Sequence, residues 1–366
     1  MDHTLARVNV LRSRFGEWNV DAALVTDIVN VGYLTGFTGS LAQALITADE
    51  ALFITDGRYQ VRARSECPAF TLISAAGSGG YLDALQKVLD DRPTLRRIGF
   101  EAGRVTVAQW QKLQAQAPHI EWVPVDGAVE ALRLVKDEDE IRRVREAVAL
   151  AEKAYTEIAA FLRPGVTERE IALELDFAMR RAGADAPAFE TIVASGAQSA
   201  LPHHTPNERP LVIGDFVTID WGAAISGYHS DITRTVVIGS RITSRQREVY
   251  GIVREAQQRA IAAIRPGKNG KEIDAVARDF IAEHGLGDEF SHSLGHSLGR
   301  TVHDGLGLSF RAESEALILE PGMIFTVEPG IYIENWGGVR IEEDIVVTES
   351  GCDVLTSLPN ELKTYG

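Results

Sequence analysis

Two stretches of this chain repeat each other, and each repeat ends in a carboxylate. Arg163-Pro164-Gly165, Glu170-Ile171 and Gly183 recur as Arg265-Pro266-Gly267, Glu272-Ile273 and Gly285, a displacement of 102 (265 − 163). Downstream, Gly214, Thr218, Asp220 and Gly222 in GDFVTIDWG recur as Gly322, Thr326, Glu328 and Gly330 in GMIFTVEPG, displaced by 108 (322 − 214). Each copy reads as a turn, a helix start, an amphipathic helix and a terminating glycine, with Thr167 and Glu170 forming a capping box in the first. Strands follow, and a second strand in each half brings more acid: Asp231 in DITRTVVI and Glu342 in EEDIVVT. A duplicated helix-plus-hairpin unit predicts two halves about a pseudo-twofold axis. Their sheets would join into one curved sheet with helices behind it, and the four acids would meet near the axis.

The strands around these acids are apolar. Phe216, Val217 and Ile219 in one half, and Ile324, Phe325 and Val327 in the other, predict buried rather than solvated strands. Four carboxylates converging in such a setting repel one another unless cations or protons neutralise them, and a metal pair does this most simply. Any one acid alone reads more readily as a turn residue or as a partner of Arg234 or Arg340; the symmetric set favours the metal. Arg340, two residues before Glu342, is expected on the same strand face and would orient an acid from outside the metal shell.

Seven of the nine histidines (His203, His204, His229, His284, His292, His296 and His303) fall between positions 203 and 303. Three of them stand among glycines in HSLGHSLGRTVHD, where backbone can approach a site closely. An oxygen-dominated donor set with one imidazole suits Mn²⁺ or Co²⁺, with Zn²⁺ also possible. The sequence contains no HExxH, and no G-x-S-x-G elbow supports serine chemistry.

Upstream of residue 126, β-rich runs (22–26, 44–47, 51–55, 70–74, 97–100 and 121–125) alternate with helical periodicity, which reads as an α/β domain. At 366 residues, two domains are expected, 1–130 and 131–366, the second opening with the charged start of a long helix. Acidic residues outnumber basic ones 52 to 37, which argues against nucleic acid or an anionic membrane as a partner. No stretch has the roughly 20 apolar residues of a membrane span. Two distant cysteines, Cys67 and Cys352, fit a reducing compartment, so a cytoplasmic location is expected.

These motifs resemble the pita-bread metallopeptidases, in particular the branch containing prolidase (Xaa-Pro dipeptidase) and aminopeptidase P. HSLGHSLGRTVHD is similar to that branch's signature, TIDWG and GYHSDITRT to its two-aspartate hairpin, and TVEPGIY with GGVRIEEDIVVT to its two-glutamate segment. LTGFTGS with LFITDGRY is similar to its N-terminal domain, so the likeness spans nearly the whole chain. It implies a creatinase-like α/β domain followed by a pita-bread α+β catalytic domain.

The resemblance also implies roles. Asp220 would bind one metal, Asp231 and Glu342 would bridge two, and His296 with Glu328 would complete the second. His203, in an L-P-H stretch, would contact substrate, and His303 would assist the substrate carbonyl and the tetrahedral intermediate. Hydroxide shared between two metals about 3.5–4 Å apart would be the nucleophile. Glu328 would carry its proton to the leaving proline nitrogen. Two departures stand out. Arg300 occupies a place the family gives to an aliphatic residue, and Gly307 stands where some prolidases carry an arginine thought to hold the substrate carboxylate. Arg300 is therefore expected to supply the missing charge and to favour Xaa-Pro dipeptides; pairing with Asp304 is the alternative. Aminopeptidase P activity on longer peptides, and a catalytically inactive binding protein of the same fold, are the competing functions. A homodimer is expected from the resemblance alone.

Overall fold

A computed structural model describes residues 3–76 and 80–366. The chain divides into two compact units, Met1–Arg133 and Leu134–Gly366. Arg133 belongs with the first because its buried guanidinium donates to Asn30 Oδ1 at 2.6 Å.

The first unit is built on a six-stranded mixed sheet in the order Thr71–Ser74, Ala51–Thr55, Gln43–Thr47, Ala22–Val25, Arg97–Glu101, Glu121–Val125. The strands expected from sequence all form, to within a residue at their ends. Alternate side chains enter two separate cores: Ala23, Val25, Ala44, Ile46 and Phe53 on one face, Ala22, Leu24, Leu45, Leu52 and Ile54 on the other. Burial on both faces explains why these strands read as continuous apolar runs instead of alternating.

In the second unit the duplication is visible. Helix Glu138–Ile158 packs on Glu168–Ala182, and Ser244–Ala263 packs on Gly270–Glu283. Ile171, Leu175 and Met179 pack with Val217 and Ile219 in the first half. Ile273, Ala277 and Ile281 pack with Phe325, Val327 and Ile345 in the second. The Thr167 capping box forms, and the repeat has an equivalent that the sequence reading passed over, Asn269 with Glu272. Asn fills the same role as Thr because either side-chain oxygen accepts the N3 amide.

The expected hairpins pair antiparallel, Phe216–Trp221 with Ile232–Ile238 and Ile324–Val327 with Glu343–Val347. They do not fuse into one continuous ladder. A two-stranded ribbon, Gly330–Ile333 with Gly337–Arg340, intervenes, and Ile341-Glu342 join it to the strand Glu343–Val347. The two halves meet instead through individual bonds: Glu342 N–H donates to Thr233 O (3.2 Å), and Arg340 N–H donates to the Thr235 hydroxyl (3.1 Å). Among the described residues, no helix is long and apolar enough to cross a membrane.

Candidate metal centre

The acids sit where strands end. Asp220 lies one residue from the end of its strand, Asp231 immediately before the partner strand, Glu328 immediately after Ile324–Val327, and Glu342 immediately before Glu343–Val347. All four line one cavity of about 840 Å³ in the second unit, together with His203, His296, His303 and Arg340. Asp231, His296 and Glu342 each present a ligand atom within 4.8 Å of the others.

His296 arrives on a segment that runs beside the strand Ile324–Val327. Its N–H donates to the Thr326 hydroxyl (3.0 Å), Thr326 N–H donates back to His296 O (2.9 Å), and Glu328 N–H donates to Leu294 O (2.8 Å). Gly295 is required there, since a Cβ on it would stand 2.0 Å from Thr326 O. Nδ1 of His296 faces Ser297 O at 3.2 Å, which assigns the proton to Nδ1. The Nε2 lone pair is then aimed at Asp231 Oδ2 (3.4 Å) and Glu328 Oε1 (3.5 Å), an arrangement that asks for a cation between them.

The electrostatics agree. Burial pushes the Asp231 and Glu342 carboxyls well above their usual range, with neighbouring acids adding to the effect. Burial raises Glu328 to about 8 against the pull of Arg340, and lowers His296 to about 3. Asp220 Oδ1 is buried without a protein partner. Crowded buried carboxylates that call for a proton or a cation, beside an imidazole held neutral, form a donor set suited to hard divalent ions.

Arg340 ties the set together. Its strand ends there and the next begins at Glu343, but Arg340 and Glu342 line the same cavity. The guanidinium reaches across the halves to Asp220 Oδ2 (2.6 Å), and its other nitrogen donates to the Tyr332 hydroxyl (2.8 Å) and to Pro202 O (3.3 Å), next to His203. Nε donates to the Thr233 hydroxyl (3.1 Å), which donates onward to Glu342 Oε2 (2.6 Å). Tyr332 donates in turn to His292 Nε2 (2.9 Å), because His292 Nδ1–H faces Ser293 O (2.8 Å) and burial holds that imidazole neutral, near 4. Tyr332 thus differs from Trp221, stacked on Tyr155 at 4.8 Å, and Trp336, edge-on to Phe216, which serve as core.

His203 and His303 are exposed to the cavity, and the ring of His303 stands edge-on to His296 with centroids 4.2 Å apart. Burial lowers the His303 pKa, with His203 as the next cause. His204 and His292 also line the cavity; His204 Nε2 lies 2.8 Å from the buried Glu168. His229 and His284 lie elsewhere, bonded to Gly299 O and Phe280 O.

Arg300 is not brought to the cavity. Its guanidinium lies over the Tyr228 ring, 5.2 Å from the centroid, and packs against Gly227. Apart from Arg340, the cation lining the cavity is the exposed Arg311, in a segment without the periodic pattern that drew attention to the strands.

Comparison with known proteins agrees with this architecture. Residues 142–349 match the metallopeptidase family M24 model, and residues 7–135 match the Creatinase/Prolidase N-terminal domain. An uncharacterized peptidase of Bacillus subtilis, YqhT, is 45% identical over 97% of this chain and 99% of its own length. The structure of an Xaa-Pro dipeptidase from Bacillus anthracis superposes with a TM-score of 0.94 at 41% identity, covering 99% of each chain. That of an X-Pro aminopeptidase from Thermotoga maritima gives 0.88 at 41% identity, covering 94% of this chain and 98% of its own. With both domains matched and the acids and imidazole of a divalent-metal centre converging between the two repeats, the chain belongs to metallopeptidase family M24.

Proposed function

We propose that this enzyme hydrolyses the peptide bond of Xaa-Pro in short peptides, with Xaa-Pro dipeptides preferred. The observation that carries the reading is the convergence of Asp220, Asp231, His296, Glu328 and Glu342 on one cavity flanked by His203 and His303. Asp220 would hold one divalent ion, Asp231 and Glu342 would serve both, and His296 and Glu328 would hold the other. Two such ions supply a Lewis acid for the scissile carbonyl and favour ionisation of a water at neutral pH. The oxygen-rich donor set makes Mn²⁺ the preferred ion, ahead of Co²⁺ and Zn²⁺.

The chain's own residues do the rest. Glu328 takes the proton of the attacking water and delivers it to the proline nitrogen as the C–N bond breaks, so the amine leaves neutral. His203 and His303 donate to the oxygen that gains charge as the carbonyl becomes tetrahedral. Arg340 holds Asp220 correctly turned, and through Pro202 O steadies the backbone that carries His203.

Preference for dipeptides needs a cation for the free carboxylate beside the scissile bond, and Arg311 replaces Arg300 in that role. The similarity to the Bacillus anthracis Xaa-Pro dipeptidase supports this reading. The similarity to the Thermotoga maritima X-Pro aminopeptidase, at the same 41% identity, favours a second reading in which longer peptides are cut. The buried and half-buried free cysteines fit a cytoplasmic enzyme, and a homodimer is proposed on family resemblance.

The test is cleavage of Ala-Pro, Ala-Pro-Ala and Met-Ala by metal-stripped enzyme before and after Mn²⁺ is restored. Mn²⁺-dependent release of proline from Ala-Pro, with slower tripeptide cleavage, is expected. Faster cleavage of Ala-Pro-Ala shifts the assignment to the aminopeptidase, and turnover of Met-Ala alone defeats the proline-specific reading.

A further inference from the structure

A buried ion pair lies close behind the site, and the catalytic reading above makes no use of it. Lys136 Nζ stands 3.4 Å from Asp304 Oδ2, and neither side chain is more than 1% exposed. Lys136 comes from the opening of the second unit, just before helix Glu138–Ile158, and is itself fixed there: its N–H donates to Gly322 O (3.0 Å) and its ammonium to Leu134 O (3.2 Å). Asp304 closes the loop that starts after His296 and ends with His303.

Within that loop Asp304 is the organising group. Its Oδ1 accepts from the Thr301 hydroxyl (3.0 Å), Oδ2 accepts from Arg300 N–H (3.3 Å), and its own N–H donates to Ser297 O (2.9 Å). The Thr301 hydroxyl also faces His303 O at 2.8 Å. The pair is packed against Gly299, where a Cβ would fall 2.5 Å from Asp304 Oδ2 and 2.7 Å from Lys136 Cε. The loop is therefore closed on itself by one carboxylate, whose counter-ion comes from a distant and independently held part of the chain.

We propose that the Lys136–Asp304 pair positions His303, fixing its ring against His296 and the reacting carbonyl. Stripping water from two charges costs several kcal/mol per ion, and an apolar pair of like volume is often as stable or more so. What the ionic pair adds is direction: each Asp304 oxygen is committed, which leaves the residue before it one backbone path. Removing the ammonium takes away the positive charge 3.4 Å from the buried Asp304 Oδ2. The loop must then shift to hydrate it, and His303 shifts with it. Lys136 and Asp304 are positioning residues; neither touches substrate. The proposal rests on the role given to His303 above.

The test compares Lys136→Met and Asp304→Asn, the second keeping the hydrogen-bond acceptor for Thr301, in the full-length metal-loaded enzyme and in a His303→Ala background. With metal content retained and KM for Ala-Pro nearly unchanged, kcat should fall about 10- to 100-fold, the scale of a 1 Å misplacement. In the His303→Ala background the same substitutions should cost nothing further, as for groups that act as one unit. An equal loss in both backgrounds overturns the proposal, as does wild-type kcat in a variant that keeps its metals. If His303→Ala itself leaves kcat unchanged while Lys136→Met lowers it, the pair acts by another route and the proposal also fails. A second measurement does not depend on turnover. In histidine-labelled protein the His303 Cε1–Hε1 resonance, assigned by its loss in His303→Ala, should broaden or split in Lys136→Met and in Asp304→Asn. An unchanged resonance in both variants contradicts the positioning role, even if Ala-Pro proves not to be a substrate.

Discussion

The two halves of the catalytic unit begin alike and end differently. Each opens with a capped helix and places acids at the ends of an antiparallel strand pair. In the first half Asp220 stays within its strand, opposite Thr233. In the second, Glu328 has already left its strand, and the ribbon Gly330–Arg340 is inserted before the partner strand begins. That insertion delivers Tyr332 and Arg340, and the arginine reaches back to Asp220 in the other half. The first half's Arg234 crosses in the opposite direction to Glu343, whose second oxygen is met by Thr356, away from the cavity. Duplication thus supplies the acids, and the departure from symmetry orients them and makes the two sides of the centre chemically unlike. His296 sharpens the asymmetry: among the described residues the imidazole in the clustered ligand atoms comes from the second half.

The largest effect should follow from removing an acid shared between the halves. Glu342→Gln should lower kcat for Ala-Pro by at least about 10³-fold, the scale seen when a catalytic centre is dismantled, with metal content falling in parallel. Activity and metal persisting together in that variant would break the claim that the halves share one centre.

The two crossing arginines should separate next. Arg340→Met should cost about 10- to 100-fold in kcat or metal affinity, as for groups that orient ligands. Arg234→Met should cost about 3–5 kcal/mol of stability, from an uncompensated buried Glu343, with kcat near wild type in the protein that still folds. Equal catalytic losses from both would show that the asymmetry carries no functional weight.

The sequence shows the repeats, the acids and the histidine-rich segment because each rides on a pattern: a strand period, a capping signal, a glycine run. Where roles come from contacts between residues remote in sequence, pattern is silent. Tyr332 reads as core because nothing local announces that its hydroxyl meets Arg340 and His292. Arg300 looks well placed because it stands three residues from His303, yet the loop turns its guanidinium onto Tyr228. Arg311 lies in an exposed stretch without periodicity, so no local signal distinguishes it from any surface arginine. The paired sheets were expected to fuse because the inserted ribbon could not be told from a longer hairpin.

A smaller effect concerns pH. Glu328 has its folded pKa raised from 4.5 to about 8, so in metal-stripped protein its contribution to stability is fully present below about pH 4.5 and is lost as pH rises to about 8. Asp231 and Glu342 shift in the same direction. His296, lowered from 6.5 to about 3, acts in reverse between those values, as the unfolded chain takes up its proton first. Below pH 6.5 these three acids are opposed by His296 and by the likewise lowered His292 and His303, and above it the acids act alone: Tm of the stripped protein should fall from pH 6.5 to pH 8, its unfolding free energy dropping by about 1 kcal/mol per pH unit for each fully shifted acid. Divalent ions, which replace those protons, should flatten the profile; a flat profile without metal would contradict the buried-acid picture.

The smallest difference is between the helix caps. Thr167→Ala and Asn269→Ala should each cost about 1 kcal/mol in thermal unfolding, because both oxygens accept the same N3 amide. A cost confined to one half would mean the repeats are not energetically equivalent even where they look alike.

The most direct measurement is calorimetric titration of Mn²⁺ into metal-stripped wild-type protein and into Asp220→Asn. Two ions per chain in the wild type and one in the variant are expected, because in the proposed centre Asp220 would serve a single ion while Asp231 and Glu342 would serve both. One ion in the wild type, or an unchanged count in the variant, would contradict a two-ion centre assembled from the two halves.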